Sequence, residues 1–219
     1  LLKQSDVVTL HVPLTQAGAH ATQRLANHRF FAAMKPGAIF INSSRGEVVD
    51  EDALGTALDA GLVRLAVLDV FDHEPACDPS MIARAALATP HIAGYSYDGK
   101  LKGTQMAYEQ ACHFFELAPS WHMEAHLPPL LPALEVDARG RLEQECAWHV
   151  MRHVYDIERD DRVFRDGTGD REALREHFRR LRHEYPVRRE ASALPVRLAH
   201  AEPSLAAKLV GLGFAVTDI

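Results

Sequence analysis

Short apolar runs alternate with helix-like stretches over the first half of the chain. The runs lack the polar–apolar alternation of a half-exposed strand, and they lie at residues 7–12, 38–42, 64–69 and 87–89. The stretches between them predict helices at residues 27–34, 51–60 and 80–86, with Asn27 and Asp50 as N-caps. Because buried strands joined by helices are typical of parallel pairing, we predict the second half of a doubly wound parallel α/β sheet.

The pattern changes after a long predicted helix at residues 100–117. Prolines indicate a linker here, at positions 119, 128, 129 and 132. A second α/β unit follows, with predicted strands at 134–137, 195–199 and 214–218 and predicted helices at 142–157, 171–185 and 203–212. The predicted division of the chain is therefore 1–97, 98–126 and 127–219. Because a unit of about 90 residues buries only a modest core, we expect the third part to associate with a second copy.

Polar side chains follow three of the predicted strands, where a doubly wound sheet binds its ligands. Arg45 comes directly after residues 38–42, and its guanidinium suits a carboxylate. Glu74 follows the third strand and His91 the fourth. An imidazole is the usual general acid or base, and a neighbouring carboxylate fixes its tautomer. The sequence predicts that the three converge on one small anionic substrate, although each alone also fits an ordinary surface loop.

Composition narrows the classes of partner. The chain has 219 residues, with 24 Lys and Arg against 30 Asp and Glu, which gives a formal net charge of −6. Without a concentrated basic face we predict no nucleic-acid partner, and without an apolar run of roughly 18 residues we predict no membrane span. Three cysteines without Cys-x-x-Cys spacing predict neither a disulfide framework nor a metal site, and they favour a reducing cytoplasm.

Five motifs resemble those of the D-isomer-specific 2-hydroxyacid dehydrogenases. They are HVPL at 11–14, MKPGA at 34–38, NSSRGEVVD at 42–50, LDVF at 68–71 with EP at 74–75, and TPHIAG at 89–94. The resemblance implies a Rossmann-like sheet that binds NAD, and a reaction in which a hydride passes between a small 2-hydroxy acid and that cofactor.

The resemblance also implies a role for each matching residue. His91 would accept the proton of the substrate hydroxyl, Glu74 would stabilise the imidazolium, and Arg45 would hold the substrate carboxylate. Tyr95 would contact the substrate and Lys100 its phosphate. The positions that would bind the cofactor are Val12, Pro13, Ser43, Ser44, Arg45, Asp69 and Gly94.

The second half resembles one branch of this family, in which the substrate is a phosphorylated sugar acid and the C-terminal domain forms a homodimer. The chain departs from the family at Val12, where Thr is common, and at Ala191, where an aromatic residue is expected. The chain begins at Leu1 without a signal-peptide pattern, so we expect a fragment. It contains no Gly-x-Gly-x-x-Gly motif, so we expect this fragment to bind NAD poorly by itself.

Two alternatives stay open at this point. The first is another member of the same family, such as a phosphoglycerate dehydrogenase or a hydroxypyruvate reductase, with the same Arg, Glu and His. The second is a non-catalytic NAD(H)-sensing scaffold on the same fold.

Overall fold

The computed structural model describes residues 1–167 and 169–218, and these form two compact units. The first unit combines Leu1–Ala93 with Ile157–Tyr185, and the second combines Gly94–Asp156 with the chain from Pro186 onward. Each unit has its own parallel sheet and its own buried core.

The sheet of the first unit has four parallel strands in the order β1-β2-β3-β4. The strands are β1 (Val7–Leu10), β2 (Ala38–Asn42), β3 (Val63–Leu68) and β4 (Leu87–Ala88). The helices between them are α1 (His28–Ala32), α2 (Glu51–Asp59) and α3 (Pro79–Arg84). Strand order follows chain order, so every connection crosses over through a helix, and the predicted parallel α/β sheet is confirmed.

Short polar side chains begin the helices of this unit. The Asn27 carboxamide accepts hydrogen bonds from the backbone at the start of α1, and the Asp50 carboxylate does the same for α2. Asp78 caps α3, which has Pro79 as its first residue. Between α1 and β2, Phe31 and Phe40 are buried edge to face, with ring centroids 5.1 Å apart. These local signals explain why the predicted helices of this half lie close to the observed ones.

The second unit has a three-stranded parallel sheet in the order β5-β6-β7. The strands are β5 (Leu134–Asp137), β6 (Pro195–Ala199) and β7 (Ala215–Asp218). The helices are α4 (Tyr97–Phe114), α5 (Glu143–Val154) and α8 (Pro203–Gly211). Helix α4 begins earlier than predicted because the Ser96 hydroxyl caps it by accepting a bond from the Gly99 amide.

Two further helices lie between α5 and β6 in the chain, and they pack with the first unit. They are α6 (Ile157–Arg165) and α7 (Arg171–His183). Their residues Phe164, Leu174 and Phe178 are buried in the core of the first unit. The compact units therefore interrupt the predicted third part, 127–219, because residues 157–185 join the first unit through these apolar side chains. The predicted helix 142–157 also ends earlier, at Val154, and α6 follows it separately.

Within the described residues, no helix is long and apolar enough to cross a bilayer. The same residues contain no group of three or more His, Cys, Asp or Glu side chains placed to hold a metal ion. All three cysteines are buried as free thiols.

Candidate functional site

The loops after β2, β3 and β4 meet at the carboxyl edge of the first sheet and form one cavity. The cavity has a volume of about 390 Å³ and is lined by Arg45, Glu74 and His91. These residues come from three different loops, and Arg45 and His91 are 46 positions apart in the chain. The structure thus brings together the three side chains for which the sequence predicts catalytic roles.

Glu74 and His91 form a direct contact in this cavity. The Nδ1 atom of His91 lies 2.6 Å from Oε2 of Glu74. The other carboxylate oxygen, Oε1, accepts a hydrogen bond of 2.8 Å from the Phe71 amide. Because an ionised carboxylate only accepts, it directs the imidazole hydrogen to Nδ1 and leaves the lone pair on Nε2. An imidazole in this tautomer is prepared to accept a proton at Nε2.

The backbone of His91 is held in the left-handed region, with φ at 57°. A non-glycine residue adopts this conformation at a cost of roughly 1–2 kcal/mol. The His91 amide donates to the carbonyl oxygens of Asp69, at 2.7 Å, and Thr89, at 3.0 Å. These bonds fix the turn that points the imidazole toward Glu74.

Asp69 organises the loop that carries His91. Its Oδ1 accepts bonds from the Thr89 hydroxyl, at 2.6 Å, and the Ile92 amide, at 2.8 Å, while Oδ2 accepts one from the Ala93 amide, at 2.9 Å. Burial raises the pKa of Asp69 above its ordinary value, and these hydrogen bonds only partly oppose that effect. This loop-holding role leaves no local pattern in the sequence, because the three donors lie 20–24 positions away from Asp69.

Arg45 is exposed at the end of a turn that Asn42 shapes. The buried Asn42 side chain accepts from the amide and hydroxyl of Ser44 and donates to the Arg45 carbonyl at 2.9 Å. Gly46 follows, and a Cβ atom there would lie only 1.8 Å from the Phe71 carbonyl oxygen. Gly46 therefore packs closely against the loop that precedes Glu74. Asn42 was missed as a contributor to the site.

The positions predicted to bind the cofactor are spread over both units. Val12 is half-buried and Pro13 exposed after β1, Ser43 is half-buried after β2, and the Ser44 hydroxyl is engaged by Asn42. Because β1 and β2 are neighbouring parallel strands, these residues lie along the same edge as the cavity. Gly94 and Tyr95 belong to the second unit, where the Lys100 ammonium lies 3.7 Å from the centroid of the Tyr95 ring. The predicted ligand contacts of these residues stay predictions.

The chemistry of this edge fits the nicotinamide half of NAD. Val12 and Pro13 leave partly exposed apolar surface after β1, and Ser43 adds a partly exposed polar residue after β2. The pyrophosphate half ordinarily binds a glycine-rich loop at a helix N-terminus, and this sequence contains no Gly-x-Gly-x-x-Gly motif.

Comparisons with known proteins bear directly on this site. Residues 1–93 match the NAD binding domain of D-isomer specific 2-hydroxyacid dehydrogenases. The predicted family resemblance, the Rossmann-like fold of this part and its NAD cofactor are confirmed. Residues 128–213 match a domain of unknown function (DUF3410). This range includes β5 and β6, and also the helices α6 and α7, which belong to the first unit.

Curated relatives extend the similarity over almost the whole chain. The erythronate-4-phosphate dehydrogenase of Azotobacter vinelandii is 42% identical over 97% of this chain and 56% of its own length. That of Ectopseudomonas mendocina is 41% identical over 99% of this chain and 57% of its own. The chain therefore spans slightly more than half the length of these relatives. A structure of Rhodotorula graminis D-mandelate dehydrogenase aligns at 35% identity over 45% of this chain and 28% of its own, with a TM-score of 0.41.

Proposed function

We propose that this chain is the C-terminal part of an NAD-dependent erythronate-4-phosphate dehydrogenase. The reaction would oxidise 4-phospho-D-erythronate at C2 to 2-oxo-3-hydroxy-4-phosphobutanoate, a step in pyridoxal 5′-phosphate biosynthesis. The observation that carries the proposal is the cavity in which Arg45 lies with the hydrogen-bonded Glu74 and His91. The similarity of nearly the whole chain to relatives of that name supports the choice of substrate.

The residues of the cavity divide the chemistry among them. His91 Nε2 takes the proton of the C2 hydroxyl, and the Glu74 carboxylate stabilises the imidazolium that forms. Arg45 binds the substrate carboxylate and polarises the developing C2 carbonyl oxygen. The hydride that leaves C2 would pass to bound NAD, which would supply the electron acceptor of the reaction. The proton and the hydride together account for the two hydrogens that the substrate loses.

The remaining assignments belong to the same proposal. Val12, Pro13, Ser43, Ser44 and Gly94 line the cofactor, and Asp69 lies near the nicotinamide while it holds the His91 loop. Tyr95 contacts the substrate, and Lys100, stacked on the Tyr95 ring, supplies positive charge for its phosphate.

We further propose that the protein is a cytoplasmic homodimer joined through its C-terminal domain. The support for a dimer is the apolar surface of the second unit, where Trp148 and Met151 on α5 and Val210 on α8 are 39–58% exposed. The support for a reducing compartment is the three free, buried thiols.

A substrate panel tests the proposed reaction. The complete protein that carries this chain is assayed for NADH formation with 4-phosphoerythronate, 3-phosphoglycerate and glycerate. We expect turnover to be fastest with 4-phosphoerythronate, because the relatives that resemble almost the whole chain are named for that substrate. Preference for 3-phosphoglycerate or glycerate would assign the chain to another activity of the family. NADH binding without turnover of any of the three would favour the non-catalytic alternative.

A further inference from the structure

Helix α6 contacts the loop that supplies Glu74 and the strand that leads to His91. It lies in the segment that matches a domain of unknown function, yet it packs entirely with the first unit. Three of its residues make the contacts: Asp161, Phe164 and Arg165. Their i, i+3, i+4 spacing places all three on one face of the helix.

Asp161 binds the strand that leads to His91. Its Oδ1 accepts a hydrogen bond of 2.7 Å from the Ala88 amide, on β4 and three positions before His91. The next amide in the chain, of Thr89, donates to the Leu68 carbonyl of β3. Because adjacent amides of a strand point to opposite sides, the Ala88 amide points away from β3, and the Asp161 carboxylate accepts its hydrogen.

Arg165 holds Asp161 in this position. Its Nε atom lies 2.9 Å from both carboxylate oxygens of Asp161. Its Nη1 donates to the Ile82 carbonyl at 2.6 Å and its Nη2 to the Ala85 carbonyl at 2.8 Å. The guanidinium thus joins α6 to the end of α3 and to the turn before β4, with the Asp161 side chain only 13% exposed.

Phe164 supports the other member of the pair. Its fully buried ring lies 5.8 Å from the ring of Phe71, which is buried as well. Phe71 is the residue whose amide donates to Glu74 Oε1. On its other side the Phe164 ring contacts Phe178 of α7, also at 5.8 Å, so the contact is backed by the second helix.

We propose that α6 positions the catalytic pair, with Asp161 acting on His91 through β4 and Phe164 acting on Glu74 through Phe71. The proposal rests on the proposed function and deepens it by giving a role to this part of the C-terminal segment. Asp161 and Phe164 are positioning residues, since neither lines the cavity that contains Arg45, Glu74 and His91.

The test compares Asp161→Ala with Asp161→Asn and Asp160→Ala in the complete protein. Alanine leaves the Ala88 amide without its acceptor, whereas asparagine keeps a side-chain oxygen at that position. Asp160 is the matched control, because it is on the same helix and its carboxylate accepts a hydrogen bond of 2.7 Å from the Tyr185 hydroxyl. Two properties are measured: kcat and KM with 4-phosphoerythronate, and the downfield proton resonance of the His91 Nδ1–H group bonded to Glu74.

We expect Asp161→Ala to lower kcat by roughly tenfold to a hundredfold and to leave KM within about twofold, because a misplaced base affects the chemical step. The downfield resonance should broaden or vanish. Asp161→Asn should keep kcat and the downfield resonance close to those of the unsubstituted protein, and Asp160→Ala should leave both unchanged. If Asp161→Ala does not fold, Phe164→Leu, which removes the ring contact with Phe71, is judged by the same two measurements.

Three results would overturn the positioning role. The first is an Asp161→Ala protein with normal kcat and a normal resonance, and the second is equal damage by Asp160→Ala. The absence of a downfield resonance from the unsubstituted protein would also overturn it, since there would be no bonded pair to position. An unsubstituted protein that shows the resonance but does not oxidise 4-phosphoerythronate would refute the proposed function alone, and the resonance would still decide the role of α6.

Discussion

At the scale of single residues, the site depends on hydrogen bonds that fix the direction of each reactive atom. Glu74 uses one oxygen on the Phe71 amide and the other on His91, so its position and its partner are set together. Asp69 engages both of its oxygens with the loop of His91. The reactive groups are thus preorganised by neighbours that do not themselves reach a substrate.

Replacing Glu74 by glutamine tests how much its negative charge contributes to catalysis. The Glu74→Gln side chain keeps an oxygen for the Phe71 amide but removes the negative charge that stabilises the imidazolium. We expect kcat to fall by about tenfold to a hundredfold, with little change in KM. The measurement is steady-state NADH formation by the complete protein. An unchanged kcat would show that the carboxylate does not take part in proton transfer.

Glu51, the first residue of α2, provides a pH-dependent prediction. Burial raises the pKa of this carboxyl to about 7, and the nearby charges of Asp72 and Asp78 add to the effect. The folded state therefore favours protonated Glu51. Its stabilising contribution is complete below pH 4.5, its ordinary pKa, and is lost as the pH rises through about 7.

Glu51→Gln removes this pH dependence, because glutamine stays neutral and can still accept from the Asp72 amide. We expect the variant to be more stable than the unsubstituted protein by about 2 kcal/mol near pH 8, after allowance for solvent screening, and almost equal to it near pH 5. Urea unfolding at the two pH values measures the difference. A stability change that is the same at both would contradict the assignment.

At the scale of elements, the turn after β2 is fitted closely to the loop after β3. Gly46 lies so near the Phe71 carbonyl that a methyl group has no room, and that carbonyl belongs to backbone held by the bond to Glu74. Packing between the two loops therefore sets the geometry of the cavity.

Gly46→Ala should separate the two loops. We expect a loss of about 2–4 kcal/mol in the free energy of unfolding, together with a fall in kcat, because backbone has to shift to accept the methyl group. Gly103→Ala is the control, since Gly103 is in helix α4 with open space around its Cβ position. That substitution should stabilise the helix by up to about 1 kcal/mol. Equal stability of the two variants would contradict the close fit.

Some elements were predictable from sequence and others were not, for a physical reason. Asn27, Asp50 and the apolar runs of the first sheet act over three or four residues, so the local pattern was sufficient. Helix α6 was missed because its segment is rich in charge and has only three apolar side chains, Ile157, Val163 and Phe164, of which Phe164 alone is buried. Its main polar contact joins Asp161 to Ala88, 73 positions away, and such a contact leaves no periodic trace in the sequence.

At the scale of the whole molecule, the site residues in the first unit were predictable as a set because parallel strands bring their carboxyl ends to one edge. The motif spacing identified Arg45, Glu74 and His91 together. The supporting groups, Asn42, Asp69 and the α6 contacts, could not be assigned this way, since their roles depend on buried hydrogen bonds between distant segments.

The proposed dimer makes a prediction at the same scale. Trp148→Glu combined with Met151→Glu places two charges on the exposed apolar face of α5. We expect the complete protein to sediment as a dimer and the double variant as a monomer, because burying unpaired carboxylates at an interface is unfavourable. Sedimentation velocity measures both. A monomer before substitution, or a dimer that is unaffected by it, would exclude this face as the interface.

The most direct test of the central claim is the turnover of 4-phosphoerythronate by a His91→Asn variant of the complete protein. Asparagine approximates the size of the imidazole but provides no group that accepts a proton. If His91 is the general base of an NAD-dependent dehydrogenase, kcat for NADH formation should fall by about a hundredfold to ten-thousandfold, while the thermal midpoint of unfolding stays close to that of the unsubstituted protein. A variant that folds normally and keeps near-normal kcat would contradict the account.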